Sequence, residues 1–267
     1  MKLANYFKKA QKEGWAIGQF NFTTDEQLKG IIAAAEELNS PIILGTSEGE
    51  SQFLGLKKIK ALVDAFRADS SVPIFLNLDH GKNLDYIKEA IKVGYDCVHF
   101  DGSSLSLEEN IRLTKGIVKL ASKKGTMIEG EVGIIGGKLT DPKEAKEFVQ
   151  QTRVGRLAIN IGTVHGGKAK IDFKRLNEIK EAIDNTPLVL HGGSGVNNTD
   201  IKKVIESGIV KININTELRL AWKKGLEDIF KEDKGQIKPY KILTPLSEKI
   251  KKVVEDKIKL FGSENKA

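Results

Sequence analysis

Short aliphatic runs, nearly free of charge, recur along the chain and alternate with longer stretches in which apolar residues return every three or four positions. The short runs fall at 16–20, 41–46, 73–78, 97–101, 126–131, 157–161, 187–191 and 209–213. Unbroken Val/Ile/Leu runs of this length are the pattern of parallel strands covered on both faces. The stretches between them, such as DEQLKGIIAAAEEL and SLEENIRLTKGIVKLASKK, carry one apolar face at helical spacing. Strands alternating with helices predict an α/β protein with a parallel sheet, and eight such units close into a (β/α)8 barrel, the TIM-barrel architecture. An open doubly wound sheet is the alternative, but no G-x-G-x-x-G follows the first run.

No Pro-, Gly- or Ser-rich linker interrupts the pattern, so a single domain over 1–267 is expected. It ends in a lysine-rich helical extension at about 216–262 and a loose terminal GSENKA. No apolar run approaches a membrane span, which argues against a membrane partner. The net charge of +7 raises nucleic acid as a partner. However, the lysines alternate with glutamate, as in IKEAIKV and SEKIKKVVEDKIK, and no basic run is interleaved with aromatics. That is a solvated helix face, so no nucleic-acid partner is expected; attraction of anionic metabolites is the milder reading. The start, MKLANYFKKAQKEGWAIGQF, lacks a signal-peptide core and predicts a cytoplasmic protein. The single cysteine, Cys97, excludes an intrachain disulfide, fits a reducing compartment and reads as a core residue.

The chemistry gathers where the runs end. Three of the four histidines, His80, His165 and His191, each stand just past a run and just before a glycine. Glycine there lets the backbone approach a ligand closely. In a (β/α)8 barrel the strand ends form one face, and that face holds the site. Three imidazoles with an open fourth position are a catalytic Zn²⁺ set. The other run ends carry Asn21, Ser47, Asp79, Asp101, Glu129 with Glu131, Ser194, and Asn213 with Asn215 and Thr216. Core packing alone does not place a polar group at every strand end. Blander roles also fit: Asp79 as a helix N-cap before GKNLDYIKEA, Asp101 and Ser194 as turn formers, Glu131 as a salt-bridge partner, Glu129 as a structural residue, Lys168 and Lys170 as solvated charges. Alternation along CVHFD sets His99 opposite Val98, which predicts a structural residue facing the helical layer. Trp15 and Trp222 read as core or subunit-contact residues.

AIGQFNFTTDEQLKGIIAAAEELNSPIIL, NLDHG, GYDCVHFDGSSLSLEENI, EGEVGIIGG, LAINIGTVHGG, PLVLHGGSGV, KININTE and FGSENKA follow one another in that order. Over nearly its whole length the chain thereby resembles the class II fructose-bisphosphate/tagatose-bisphosphate aldolases, which are metal-dependent lyases. The resemblance implies Zn²⁺ held by His80, His165 and His191, with Glu131 as an alternate or second metal ligand. The metal would act as a Lewis acid that stabilises the enediolate formed on C–C cleavage. Asp79 would move the hydroxyl proton of the aldol. Asp101 and Glu129 are candidates to hold the outer nitrogens of the ligand histidines, and Asn21 and Ser47 line the same face. Gly166, Gly192 and Ser194 would hold the phosphate of the dihydroxyacetone-phosphate half. Lys168 is the expected cation there, with Lys170 as the alternative, and Asn213, Asn215 and Thr216 would close the site. A monovalent cation, Na⁺ or K⁺, is a further possibility, and a homodimer or homotetramer is the implied assembly.

The chain also departs from the family pattern. After Gly136–Gly137 the family has an acidic stretch opening a long loop, whose glutamate exchanges a proton; here Lys138 and Leu139 follow and the loop is almost absent. The segment after His165 is also short, so a site more open to water is expected. Ser247 stands near the place where some bacterial members carry an arginine for the distal phosphate, and Asn77 takes the first position of the family's H-x-D-H. Two function classes follow. One is an aldolase cleaving fructose 1,6-bisphosphate to dihydroxyacetone phosphate and glyceraldehyde 3-phosphate, with tagatose bisphosphate or another phosphorylated ketose as the alternative substrate; Asn215 favours fructose. The other, suggested by the missing loop glutamate, is a non-catalytic metal- and phosphate-binding scaffold, against which the retention of Asp79 speaks.

Overall fold

A computed structural model describes residues 2–267. Eight strands, β1 (Ile17–Asn21), β2 (Ile42–Ser47), β3 (Ile74–Gly81), β4 (Cys97–Phe100), β5 (Met127–Val132), β6 (Arg156–Ile159), β7 (Leu188–Leu190) and β8 (Ile209–Ile214), pair in sequence order into a closed barrel. Every pairing is parallel, including β1 with β8. Each strand falls within three residues of an apolar run in the sequence, because strands buried on both faces cannot carry the polar alternation that would blur them.

Helix α1 (Leu3–Glu13) precedes the barrel and seals its N-terminal end. Tyr6, Phe7 and Trp15 pack there against Ile17, Ile43, Cys97 and Val210, so Cys97 is a buried core residue and Trp15 belongs to the plug. The outer layer consists of α2 (Asp25–Glu37), α3 (Glu48–Leu54), α4 (Leu56–Asp69), α5 (Leu84–Val93), α6 (Leu107–Ser122), α7 (Pro142–Thr152), α8 (Phe173–Ala182), α9 (Asn198–Glu206), α10 (Thr216–Glu232) and α11 (Pro239–Phe261). Thr24 with Gln27 and Ser47 with Glu50 form reciprocal capping boxes that start α2 and α3 at the mouth of the barrel.

The C-terminal part differs from the expected extension in two ways. The helical run breaks at 233–238, and α11 lies between α2 and α9, where it completes the helical ring. Its Leu246, Ile250, Val254, Ile258 and Phe261 are buried. The last residues are held: Asn265 and Ala267 donate backbone hydrogen bonds to Leu38 and Asn39, and Ser263 is fully buried against Ser40. A polar composition suggested a loose end, but here the last residues lie beside the C-terminal end of α1, Lys266 pairing with Glu13.

The α2–α11 contact is close enough to require Gly30, where a Cβ would stand 2.5 Å from the Ser247 carbonyl and 2.9 Å from Ile250 Cβ. Ser247 belongs to this packing and does not line the cleft. Gly30→Ala should therefore destabilise the fold although alanine is the better helix former. Overpacking of ~1–3 kcal/mol outweighs a propensity gain of ~1 kcal/mol. A thermal unfolding midpoint at or above that of the unaltered protein would contradict this.

Candidate active site

A cleft of about 410 Å³ opens at the C-terminal ends of the strands. Asp79, His80, Asp101, Glu131, His165 and His191 all line it. Adjacent residues on a regular strand point to opposite faces, yet both Asp79 and His80 reach the cleft. The β3–β4 register shifts between Leu78 and Gly81, and His80 takes the left-handed conformation at φ 49°. A non-glycine residue held there carries ~1–3 kcal/mol of strain. The His80 amide donates to His99 Nδ1 at 3.1 Å, which pins the irregular turn.

His99 is thus a correction. Val98 and Phe100 face the helices, and His99 points into the barrel, its ring centroid 4.7 Å from those of His80 and His191. The alternation was legible, but its phase was inverted because this barrel interior is polar. With Nδ1 accepting, His99 presents Nε2 to Glu131 Oε2 at 3.2 Å in a geometry unsuited to a hydrogen bond, so both buried atoms lack a partner.

His80 Nε2 and His191 Nδ1 face each other at 2.9 Å. Their outer nitrogens meet carboxylates: His80 Nδ1 lies 3.1 Å from Asp101 Oδ2, and His191 Nε2 lies 2.6 Å from Glu129 Oε1. A carboxylate accepts, so each outer nitrogen carries a proton; burial would lower His80, but Asp79 and Asp101 more than reverse this and raise it. Burial pushes His191 down to about 4, which keeps it neutral. The facing nitrogens stand at the right distance to share one proton, and once it is lost both present lone pairs to a cation. Imidazole nitrogens with carboxylates behind them are the donor set of a transition-metal site, so these residues fit a divalent metal. His165 stands beside His80, ring centroids 5.1 Å apart, at the exposed edge of the cleft and outside the tight cluster of Asp79, His80, His99 and His191.

Asp79 is buried and accepts from Asn213 Nδ2 on Oδ1 and from Asn21 Nδ2 on Oδ2, both at 3.0 Å. It precedes a strand end and caps no helix; Asn83 caps α5. Burial alone would raise the Asp79 carboxyl, but His80, His99, His191 and Lys211 more than reverse this and hold it well below the usual carboxylate range.

Beneath the mouth lies an ionic layer that the sequence reading missed. Glu129, Arg156 and Lys211 are fully buried. Lys211 Nζ donates to Glu129 Oε2 at 2.8 Å, and Arg156 pairs with the same oxygen. Burial would raise Glu129, but Lys211 and Arg156 together hold it well below its ordinary value. From Arg156 the hydrogen bonds continue through Asn77 and Gln19 to Asn21, and so to Asp79.

On the β7–β8 side, Gly192 is left-handed, Ser194 Oγ accepts from the Glu217 amide, and α10 begins without a side-chain cap from Asn215. Gly166 borders Thr216 there. Lys168 and Lys170 depart from expectation: both are exposed and neither lines the cleft. Their loop is closed by backbone hydrogen bonds from Ala169 to Gly195 and from Lys170 to Gly162, and the lysine side chains are left in solvent. The cations that do line the cleft among the described residues are Lys82 and Arg219. The loop after β5 is as short as expected; Asn160 Nδ2 donates to the carbonyls of Ile134, Gly137 and Lys138 and fixes it, while Ile134 and Ile135 give the cleft an apolar wall.

The family model of class II fructose-bisphosphate aldolases matches residues 1–266. The chain belongs to the class II fructose-bisphosphate aldolase family. A fructose-bisphosphate aldolase of Staphylococcus aureus (strain Mu50) is 39% identical over 274 residues, covering 97% of this chain and 96% of the relative. A sulfofructosephosphate aldolase of Alkalicoccus urumqiensis is 39% identical over 273 residues, with 97% and 95% covered. Among solved structures, the YdjI aldolase of Escherichia coli K12 superposes with a TM-score of 0.90 at 33% identity, covering 100% of this chain and 98% of that one. The aldolase is therefore an enzyme of the lyase class with a (β/α)8 barrel, from a metal-dependent family that acts on phosphorylated ketoses. No helix among the described residues is long and apolar enough to cross a membrane.

Proposed function

We propose that this aldolase is zinc-dependent and reversibly cleaves fructose 1,6-bisphosphate to dihydroxyacetone phosphate and glyceraldehyde 3-phosphate. The observation that carries the reading is the pair of facing imidazole nitrogens, His80 Nε2 and His191 Nδ1, beside the ionised Asp79. His165 completes the ligand set from the rim, and Glu131, whose Oε2 has no partner, is available as a second ligand. These residues would hold a divalent cation, which would supply Lewis-acid polarisation of the ketose carbonyl and stabilisation of the charge that develops as the C–C bond breaks.

The chain's own groups do the rest. Asp101 and Glu129 fix the tautomers of His80 and His191 through the protons on their outer nitrogens. Asn21 and Asn213 hold both Asp79 oxygens by their amides, so the carboxylate is oriented to take the hydroxyl proton of the aldol. The free N–H groups at the start of α10, with Ser194, Gly192 and Gly166, receive the phosphate of the dihydroxyacetone-phosphate half. Asn213 and Asn215 each keep a buried, unpartnered carbonyl oxygen, available to substrate hydroxyls or to a monovalent cation. A cytoplasmic homodimer or homotetramer remains our reading of its setting.

Asn215 supports fructose over tagatose bisphosphate. A sulfofructose phosphate is the second reading, because a relative so named is as similar to this chain as the fructose-bisphosphate aldolases. Coupled cleavage assays on fructose and tagatose 1,6-bisphosphate in parallel test the substrate. Higher kcat/KM is expected on fructose, and a clear preference for tagatose would overturn the choice.

A further inference from the structure

We propose that His99 is a positioning residue for the metal site: its Nδ1 holds the turn that lets two consecutive residues, Asp79 and His80, serve one cleft. The inference rests on the reading of His80 as a metal ligand. A regular strand sends neighbouring side chains to opposite faces. On β3 that would give the cleft either the proton acceptor or the ligand, but not both. The chain departs from the rule at a single residue. His80 leaves the extended conformation for φ 49°, and the β3–β4 register shifts between Leu78 and Gly81.

The turn is not stable on local grounds. A residue with a Cβ is strained in the left-handed region, where glycine is not. Gly81 stands next in the chain, yet the left-handed conformation falls on His80. Something outside β3 must therefore hold it. A backbone N–H in the barrel wall needs an acceptor, and that of His80 donates to a side chain, His99 Nδ1, at 3.1 Å. His99 is well placed to act as a fixed point. It is fully buried, and its ring is packed against those of His80 and His191, both centroids 4.7 Å away.

The same contact separates His99 from the ligands. Its ring stands in one cluster with Asp79, His80 and His191, which invites a fourth-ligand role. Nδ1, however, receives the His80 amide, so the ring proton sits on Nε2, facing Glu131 Oε2 at 3.2 Å. Neither nitrogen then has a lone pair for a cation. His99 acts on the metal through the backbone of His80, as Asp101 acts through its ring.

The test compares native protein with His99→Leu, His99→Asn and His99→Gln. Zinc affinity is measured by competition with a chromophoric chelator, and amide hydrogen exchange of the segment containing His80 is followed in metal-free protein. Asparagine can set an oxygen where Nδ1 stands, glutamine reaches only the place of Nε2, and leucine fills the space without an acceptor. His99→Leu should weaken zinc binding by about 10- to 100-fold, the usual effect of losing a group that orients a ligand, and should speed exchange at His80. Asparagine should recover most of both, and glutamine neither. Native-like affinity and exchange in His99→Leu overturn the proposal, as does recovery by glutamine instead of asparagine. Equal losses in all three variants would reduce His99 to general packing and overturn it as well. Exchange is read without metal, so a native chain that binds no zinc yet shows the leucine–asparagine contrast would refute the metal reading and leave His99 as the residue that holds the turn.

Discussion

Replacing Asp79 by alanine should lower the turnover of fructose 1,6-bisphosphate by ~10²–10⁴-fold, the usual contribution of one positioned acid or base, while zinc still binds stoichiometrically. The carboxylate is buried, held by two asparagine amides, and kept ionised by the histidines and Lys211 around it. It is therefore present as a proton acceptor at neutral pH. Alanine is a better probe than asparagine, whose own amide would face the Asn21 and Asn213 donors. Near-native turnover would remove Asp79 from the chemistry. Loss of zinc together with activity would make it a metal ligand, a role its proximity to His80, His99 and His191 permits.

The largest effect on stability is expected at Glu129. Changing it to alanine leaves Arg156 and Lys211 as fully buried cations without a counter-charge. Breaking such a group from one side typically costs ~3–5 kcal/mol, which for a chain of this size lowers the unfolding midpoint on the order of 10 °C. The same change removes the acceptor from His191 Nε2, so zinc affinity should fall by about 10- to 100-fold. Glu129→Gln keeps the shape and separates the charge from the packing. The sign of its pH dependence follows from the depressed value of the native carboxyl. Stability from the ionised Glu129 is present above the unfolded carboxylate value of ~4.3 and is lost as pH falls through the lower folded value. The gap between native protein and Glu129→Gln should accordingly narrow in acid. A gap that widens in acid, or midpoint and zinc affinity both unchanged in Glu129→Ala, would show that the buried layer is not organised as described.

The eight strands were legible because a strand covered on both faces has to be apolar almost throughout, and Asp79, His80 and His191 were legible because polar groups at the ends of such runs have no role in packing. The rest was hidden for physical reasons. Arg156 and Lys211 sit inside the apolar runs GRLAIN and VKININ, but sequence alone does not tell a charge that meets Glu129 in the interior from one that marks a strand end. His99 depended on which face of β4 is inward, and a polar barrel interior removes the usual cue. Arg219 and Glu50 are 169 positions apart, and only closure of the barrel brings α3 beside α10. Lys168 and Lys170 went the opposite way: the family resemblance suggested the cleft, and the backbone bonds closing their loop leave them outside it.

The most direct test of the account is metal content and fructose 1,6-bisphosphate cleavage followed together through chelation and zinc titration. Chelation should abolish cleavage, and activity should return in proportion to bound zinc, saturating near one ion per chain. Full activity in chelated, metal-free protein would contradict it, as would stoichiometric zinc with no cleavage.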